Sequence, residues 1–192
     1  MDVSWLLVPL SYALGAFPTA NLVGRLVGRD PTREGSGNPG ASNVYRLAGK
    51  RAGIAVLVID VCKGAVPAAV GLAIGGRSLG VACGLAAMAG HVLPVDRRFR
   101  GGKGVATLGG ACLVLYPLVS LCLLTVWAAV MRVSRVAALG SLAMAALLPV
   151  GVAIRGRPGW EIAAVAAAAI VVIVRHRSNV DRLLRGHERT MS

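Results

Sequence analysis

Residues 105–131, VATLGGACLVLYPLVSLCLLTVWAAVM, decide how the chain is laid out. They form an uncharged apolar run of 27 residues with Tyr116-Pro117 near its middle. At about 1.5 Å per residue a single helix would be about 40 Å long, against a hydrocarbon core of about 30 Å. Proline inside a helix removes a hydrogen bond and crowds the preceding turn. The run therefore reads either as one long tilted helix or as two short helices joined near Pro117, each shorter than the bilayer is thick.

Charge separates the two readings. Five further apolar runs flank this one: Val3–Val27, Ala52–Ile74, Leu79–Val95, Ala137–Ile154 and Trp160–Val174. Lys and Arg collect in the cytoplasmic loops of membrane proteins. Two helices in residues 105–131 make seven spans, with the N-terminus outside and the C-terminus cytosolic. Then 17 cations, within residues 25–51, 97–103, 132–135 and 175–189, lie inside, against Arg77, Arg155 and Arg157 outside and Lys63 within the membrane. One helix there weakens the split to 12 against 8. Seven spans also place Trp5 and Trp160 at the outer interface and Trp127 at the inner one, as an aromatic belt requires.

Composition points the same way. Of 192 residues, 56% are of the AVILMFWYC class and 15% are charged, yet the net charge is +13. A soluble core of this size could not hide so much apolar chain. The expected fold is all-α, a multi-pass integral membrane protein of about seven transmembrane helices in one membrane-embedded domain, residues 1–192. A nucleic-acid partner is excluded: the basic residues sit between apolar runs, and three Trp, three Tyr and two Phe make no stacking platform. The start, Met1-Asp2-Val3-Ser4-Trp5, has no basic region of a cleaved signal. Cys62, Cys83, Cys112 and Cys122 lie singly in apolar runs and read as small buried hydrophobes. No metal site and no cofactor are expected.

Three polar segments fall on the cytosolic side, where one site could gather them. In the first, Arg33 to Arg46, three glycines (Gly35, Gly37, Gly40) in six residues allow close backbone approach, and Ser36, Asn38, Ser42 and Asn43 bring neutral polar groups. Arg46 adds a planar fixed charge suited to phosphate. The segment reads as an anion cradle or as a flexible turn. In the second, Phe99-Arg100-Gly101-Gly102-Lys103-Gly104 leads into an apolar helix, whose N-terminal N–H groups and dipole attract phosphate. Its spacing is not that of a Walker A loop, and a basic cytosolic loop is the alternative. His91, just upstream, reads as a core or capping histidine, and Arg97 as a cation that serves topology only. The third, Arg175 to Glu188, reads by default as a basic tail holding anionic lipid. His176 and Asn179, three apart, would share a helical face there. Asp60 and Lys63, also three apart, should face inward and either neutralise each other or serve a polar site. Polarity gathered at one surface favours an enzyme acting on phosphorylated substrates over an anion permease.

At these segments the chain resembles the bacterial membrane enzymes that transfer an acyl chain from acyl-phosphate to sn-glycerol 3-phosphate, the PlsY family. Tyr12 to Pro18 looks like that family's first helix and Gly35 to Arg46 like its first signature. Asp60, Lys63-Gly64 and Pro67 fit its second helix; Gly90-His91, Pro94 and Phe99 to Thr107 fit its second signature. His176-Arg177, Asn179, Arg182-Leu183, Gly186 and Glu188 fit the third. Ser42 stands where the family usually has Thr, Arg100 where it has Lys, and Ala138 where Ser is common.

The resemblance implies acylation of the sn-1 hydroxyl of glycerol 3-phosphate, giving lysophosphatidate and inorganic phosphate. It places the enzyme in the bacterial cytoplasmic (inner) membrane with a cytosolic active site. Partners would be the two substrates, the bilayer and an upstream enzyme that makes the acyl-phosphate. Two phosphates held together need compensation, expected from Arg46, Lys103 and the N–H groups of Gly101, Gly102 and Gly104, with Gly35, Gly37, Asn38 and Asn43 lining the first loop. Ser36 should hydrogen-bond a phosphate without becoming acylated. His176 would take the hydroxyl proton, or orient the hydroxyl while a substrate phosphate takes it; the lack of an evident carboxylate partner favours the second. Asn179 would orient the glycerol or stabilise the developing oxyanion.

Overall fold

The computed structural model describes residues 3–191; Met1, Asp2 and Ser192 lie outside them. All regular structure among the described residues is helical. Two compact units divide in sequence between Leu115 and Tyr116.

In the first unit a short 3₁₀ turn, Val3–Leu6, leads into α1 (Leu7–Gly15) and α2 (Thr19–Leu26). The run Val3–Val27 remains one candidate span, Val3–Leu26, but its helix is interrupted at Phe17-Pro18. Proline has no N–H and drives the residue before it out of helical geometry. Next, α3 (Ala41–Val92) is interrupted at Gly49 and at Gly75-Gly76. Gly76 (φ 69°, ψ −161°) holds a conformation that a side chain disfavours. The chain turns there, and residues 50–74 and 77–92 pack as a hairpin: a Cβ at Gly80 would lie 3.1 Å from the Ala68 carbonyl, and one at Gly84 3.5 Å from the Ala68 methyl. The hairpin matches the expected spans Ala52–Ile74 and Leu79–Val95 to within a few residues. A loop of residues 93–104 then enters α4 (Val105–Leu115).

Small residues make this packing. A Cβ at Gly15 would collide with the Ala87 carbonyl and one at Gly90 with that of Tyr12, so α1 lies backbone to backbone on residues 77–92. Gly64 meets Thr107 and Gly110 meets Val61 in the same manner, seating α4 on residues 50–74. Close approach through glycine is how helices associate where lipid removes the hydrophobic drive between them.

In the second unit α5 (Pro117–Ser134), α6 (Ala137–Ile154) and α7 (Gly159–Arg175) run as consecutive packed helices. A bend of 54° separates α7 from α8 (Arg177–Leu184). The run 105–131 is thus two helices, with Pro117 at the first position of α5, where a missing N–H costs nothing. Tyr116 and Glu161 are buried together, the phenol donating to Glu161 Oε2 at 2.9 Å.

Among the described residues four segments are long and apolar enough to cross a bilayer, or five with α7 and α8 counted as one bent span. At 11 residues α4 falls below that length. Large apolar side chains such as Leu57, Val58, Val66, Ile74, Leu118 and Leu121 are exposed on the helices, which suits a hydrocarbon surround.

Candidate active site

Four side-chain clusters hold the expected residues: three in the first unit, one in the second.

The first loop is braced from inside by Asn43. Its Oδ1 accepts the Ser36 N–H at 2.9 Å, and its Nδ2 donates to the Pro31 and Glu34 carbonyls at 3.0 and 3.1 Å. With only 1% of its surface exposed, Asn43 is a strap rather than a group offered to a ligand. Gly35 (φ 63°) passes directly over it, and a Cβ there would strike the Asn43 Oδ1. Asp30 shapes the loop's start: its carboxylate accepts from the Thr32 hydroxyl at 2.6 Å and from the Thr32 N–H at 2.9 Å, and these bonds hold its pKa below the usual value. Ser36, Asn38, Ser42 and Arg46 are half-buried on this frame, with Ser42 and Arg46 four apart at the start of α3.

The second loop differs from expectation. The Gly101 N–H donates to the Val92 carbonyl at 3.2 Å and the Gly102 N–H to that of His91 at 3.0 Å. Those two N–H groups therefore pin the loop to the end of α3 and are engaged within the protein. Gly104 (φ 84°), buried against Met88 and Val92, caps α4 by accepting the Leu108 N–H at 2.8 Å. Lys103 is half-buried between these fixed glycines, next to the N-terminus of α4.

A buried polar cluster lies beneath both loops. The Lys63 ammonium is 2.8 Å from Asp60 Oδ1 and donates to the Phe17 carbonyl at 3.0 Å; His91 Nδ1 lies 3.4 Å from it. Asp60 and Lys63 thus do face inward and neutralise each other, and His91 is a core histidine. A small cavity of about 10 Å³, room for roughly one water, is lined by Pro39 of the first loop, Gly102 of the second, and Lys63, His91 and Arg97. Arg97 is more than a topology charge. Its guanidinium donates to the Ala16 carbonyl and pairs with Asp96 at 3.3 Å.

In the second unit His176 sits at the bend between α7 and α8, and Asn179 in the first turn of α8. They do not share the face of one continuous helix; the Asn179 N–H donates to the His176 carbonyl at 2.8 Å across the bend. His176 Nδ1 is 2.8 Å from the Val172 carbonyl. A carbonyl only accepts, so Nδ1 carries the ring proton and Nε2 is the acceptor nitrogen. Glu188, which sequence spacing could not connect to Asn179, clamps it: Oε1 accepts from Asn179 Nδ2 at 2.8 Å and Oε2 from Arg182 Nε at 2.9 Å. Both His176 and Asn179 are buried.

This is a helical membrane protein with glycine-braced, cation-bearing loops. A family model described as glycerol-3-phosphate acyltransferase matches residues 5–186. A glycerol-3-phosphate acyltransferase of Thioalkalivibrio sulfidiphilus is 45% identical over 180 residues, covering 93% of this chain and 89% of that one. One of Methylococcus capsulatus is 41% identical over 190 residues, covering 98% and 96%. The fold is similar to two crystal structures of PlsY, an integral membrane glycerol 3-phosphate acyltransferase. Its glycerol 3-phosphate form gives a TM-score of 0.93 at 33% identity, and its lysophosphatidic acid form 0.89 at 32%. Each covers 97% of this chain and 94% of the other. The chain belongs to the glycerol-3-phosphate acyltransferase family. It is a membrane-embedded acyltransferase of phospholipid synthesis.

Proposed function

We propose that the chain acylates the sn-1 hydroxyl of glycerol 3-phosphate with acyl-phosphate as donor. The observation that carries this reading is its similarity, over nearly its full length, to one enzyme's glycerol 3-phosphate and lysophosphatidic acid forms. In the reaction the hydroxyl oxygen bonds to the acyl carbon, the carbon–oxygen bond to phosphate breaks, and phosphate departs with the electron pair. The hydroxyl proton passes to phosphate. Acyl-phosphate is already activated, so positioning and charge compensation suffice.

Roles follow from the site. Arg46 and Lys103 compensate the two substrate phosphates. Ser36 and Asn38 donate hydrogen bonds to one of them, over a backbone shaped by Gly35 and Gly37. Asn43, Gly101 and Gly102 act by holding the loops, and Gly104 by opening α4, whose N-terminus faces the donor phosphate. His176 Nε2 accepts a hydrogen bond from the attacking hydroxyl, an assignment its Nδ1–carbonyl contact favours, and Asn179 orients the glycerol. We take residues 1–192 as one catalytic domain, which the family match across both units supports. Its seven spans have the N-terminus out, the C-terminus and active site cytosolic, in the cytoplasmic membrane beside an enzyme that supplies acyl-phosphate.

The test is purified protein in lipid with glycerol 3-phosphate and one donor at a time: acyl-phosphate, acyl-CoA or acyl carrier protein. Lysophosphatidate and phosphate should form in equal amounts from acyl-phosphate alone. Equal use of acyl-CoA would contradict the reading.

A further inference from the structure

The Asp60–Lys63–His91 cluster has no substrate-binding role in the mechanism above, yet it is costly. Charges buried on a membrane helix are unfavourable even when paired, and two apolar residues could fill the same space. All three are buried, at 2%, 4% and 8% exposure. Their contacts lead to one place. An ammonium only donates, so His91 Nδ1, facing the Lys63 Nζ, is the acceptor and the ring proton lies on Nε2. That edge of the ring abuts Gly102, where a Cβ would collide with Nε2. The His91 carbonyl takes the Gly102 N–H, so both ring and backbone of His91 hold this glycine. Lys63 also holds the Phe17 carbonyl at the break between α1 and α2, and Arg97 holds that of Ala16. Lys103 is the next residue after Gly102.

We propose that Asp60, Lys63 and His91 are positioning residues: the buried ion pair fixes the His91 ring against Gly102 and thereby sets the loop that presents Lys103. The proposal rests on the reading that Lys103 meets substrate phosphate. A side chain displaced by about 1 Å from its working place can cost about 100-fold in rate, which gives a buried ion pair on this helix a function that packing alone does not.

The experiment separates positioning from folding. The double variant Asp60→Leu/Lys63→Met replaces the pair with apolar groups of similar size, which a buried site tolerates or prefers. It is compared with the parent in lipid by thermal midpoint, hydrogen exchange and turnover. The proposal expects an unchanged or raised midpoint, faster exchange in residues 93–104 but not in 30–40, and turnover reduced about 10- to 100-fold. In a Lys103→Ala background the double variant should add no further loss, since both act through one group. Parental exchange and turnover in the double variant would overturn the proposal, as would losses that multiply. His91→Phe, which keeps a ring but removes the acceptor for Lys63, should reproduce the same pattern and decides the matter if the double variant does not fold. If Lys103→Ala alone is fully active, the phosphate reading fails, and the exchange data still judge the latch.

Discussion

Asn43→Ala should dismantle the first loop. The carboxamide makes three hydrogen bonds, at 2.9, 3.0 and 3.1 Å, to three backbone groups. A net value of about 1 kcal/mol each gives roughly 3 kcal/mol, reduced toward 2 because the half-buried Ser36 and Glu34 groups gain some water. For a chain of this length that is roughly 5–10 °C in thermal midpoint. Ser36 should lose its orientation with it, since its own N–H is one of the three. Asn43→Asp should not rescue: it keeps the acceptor for Ser36 but turns lone pairs toward the Pro31 and Glu34 carbonyls. The assay is the midpoint in lipid together with phosphate release. A rise in KM for glycerol 3-phosphate at an unchanged midpoint would instead make Asn43 a ligand of substrate and not a brace.

Three further outcomes are expected. Arg46→Ala and Lys103→Ala should each lower turnover by about 10²–10³, and Arg46→Lys should fail to restore it because a point charge cannot replace a planar fork; Arg98→Ala, exposed in the second loop, should stay within about twofold, and equal losses in all four at matched expression would disprove a specific cradle. Gly64→Ala and Gly110→Ala should each destabilise by about 1–3 kcal/mol through a methyl forced against backbone of the opposite helix, and unfolding midpoints at parental values would contradict the packing described. Arg97→Ala should lower stability measurably, since the guanidinium occupies the Ala16 carbonyl and borders the cavity; a silent variant would return Arg97 to a topology charge.

Much of this architecture is legible in the sequence, and the misses share a cause. Hydropathy and Pro117 marked the division between α4 and α5, and Ala137–Ile154 has the expected bounds. The helix break at Phe17-Pro18 lies inside one apolar run, so hydropathy hides it and only Pro18 marks it, as Pro117 marks the start of α5. In the first loop the residue types leave an anion cradle and a flexible turn both open, and they do not say which groups face outward. Asn43 looks like a donor and is a strap, because its role depends on where Pro31 and Glu34 fold. Gly101 and Gly102 look like free N–H groups, yet Val92 and His91 take them through a turn at Arg98 and Phe99, two non-glycine residues with positive φ. Glu188 reaches Asn179 only after the chain turns back at Gly186 (φ 70°), a contact with no helical period.

In the proposed mechanism two braced loops position phosphates for direct transfer, with Ser36 as a hydrogen-bond donor. It is tested most directly by mixing the enzyme with chain-labelled acyl-phosphate, with and without glycerol 3-phosphate, and quenching within one turnover. Label should appear in lysophosphatidate only when the acceptor is present, and none on protein at any time. A hydroxylamine-sensitive acyl-protein that vanishes in Ser36→Ala would contradict it and make the serine a nucleophile.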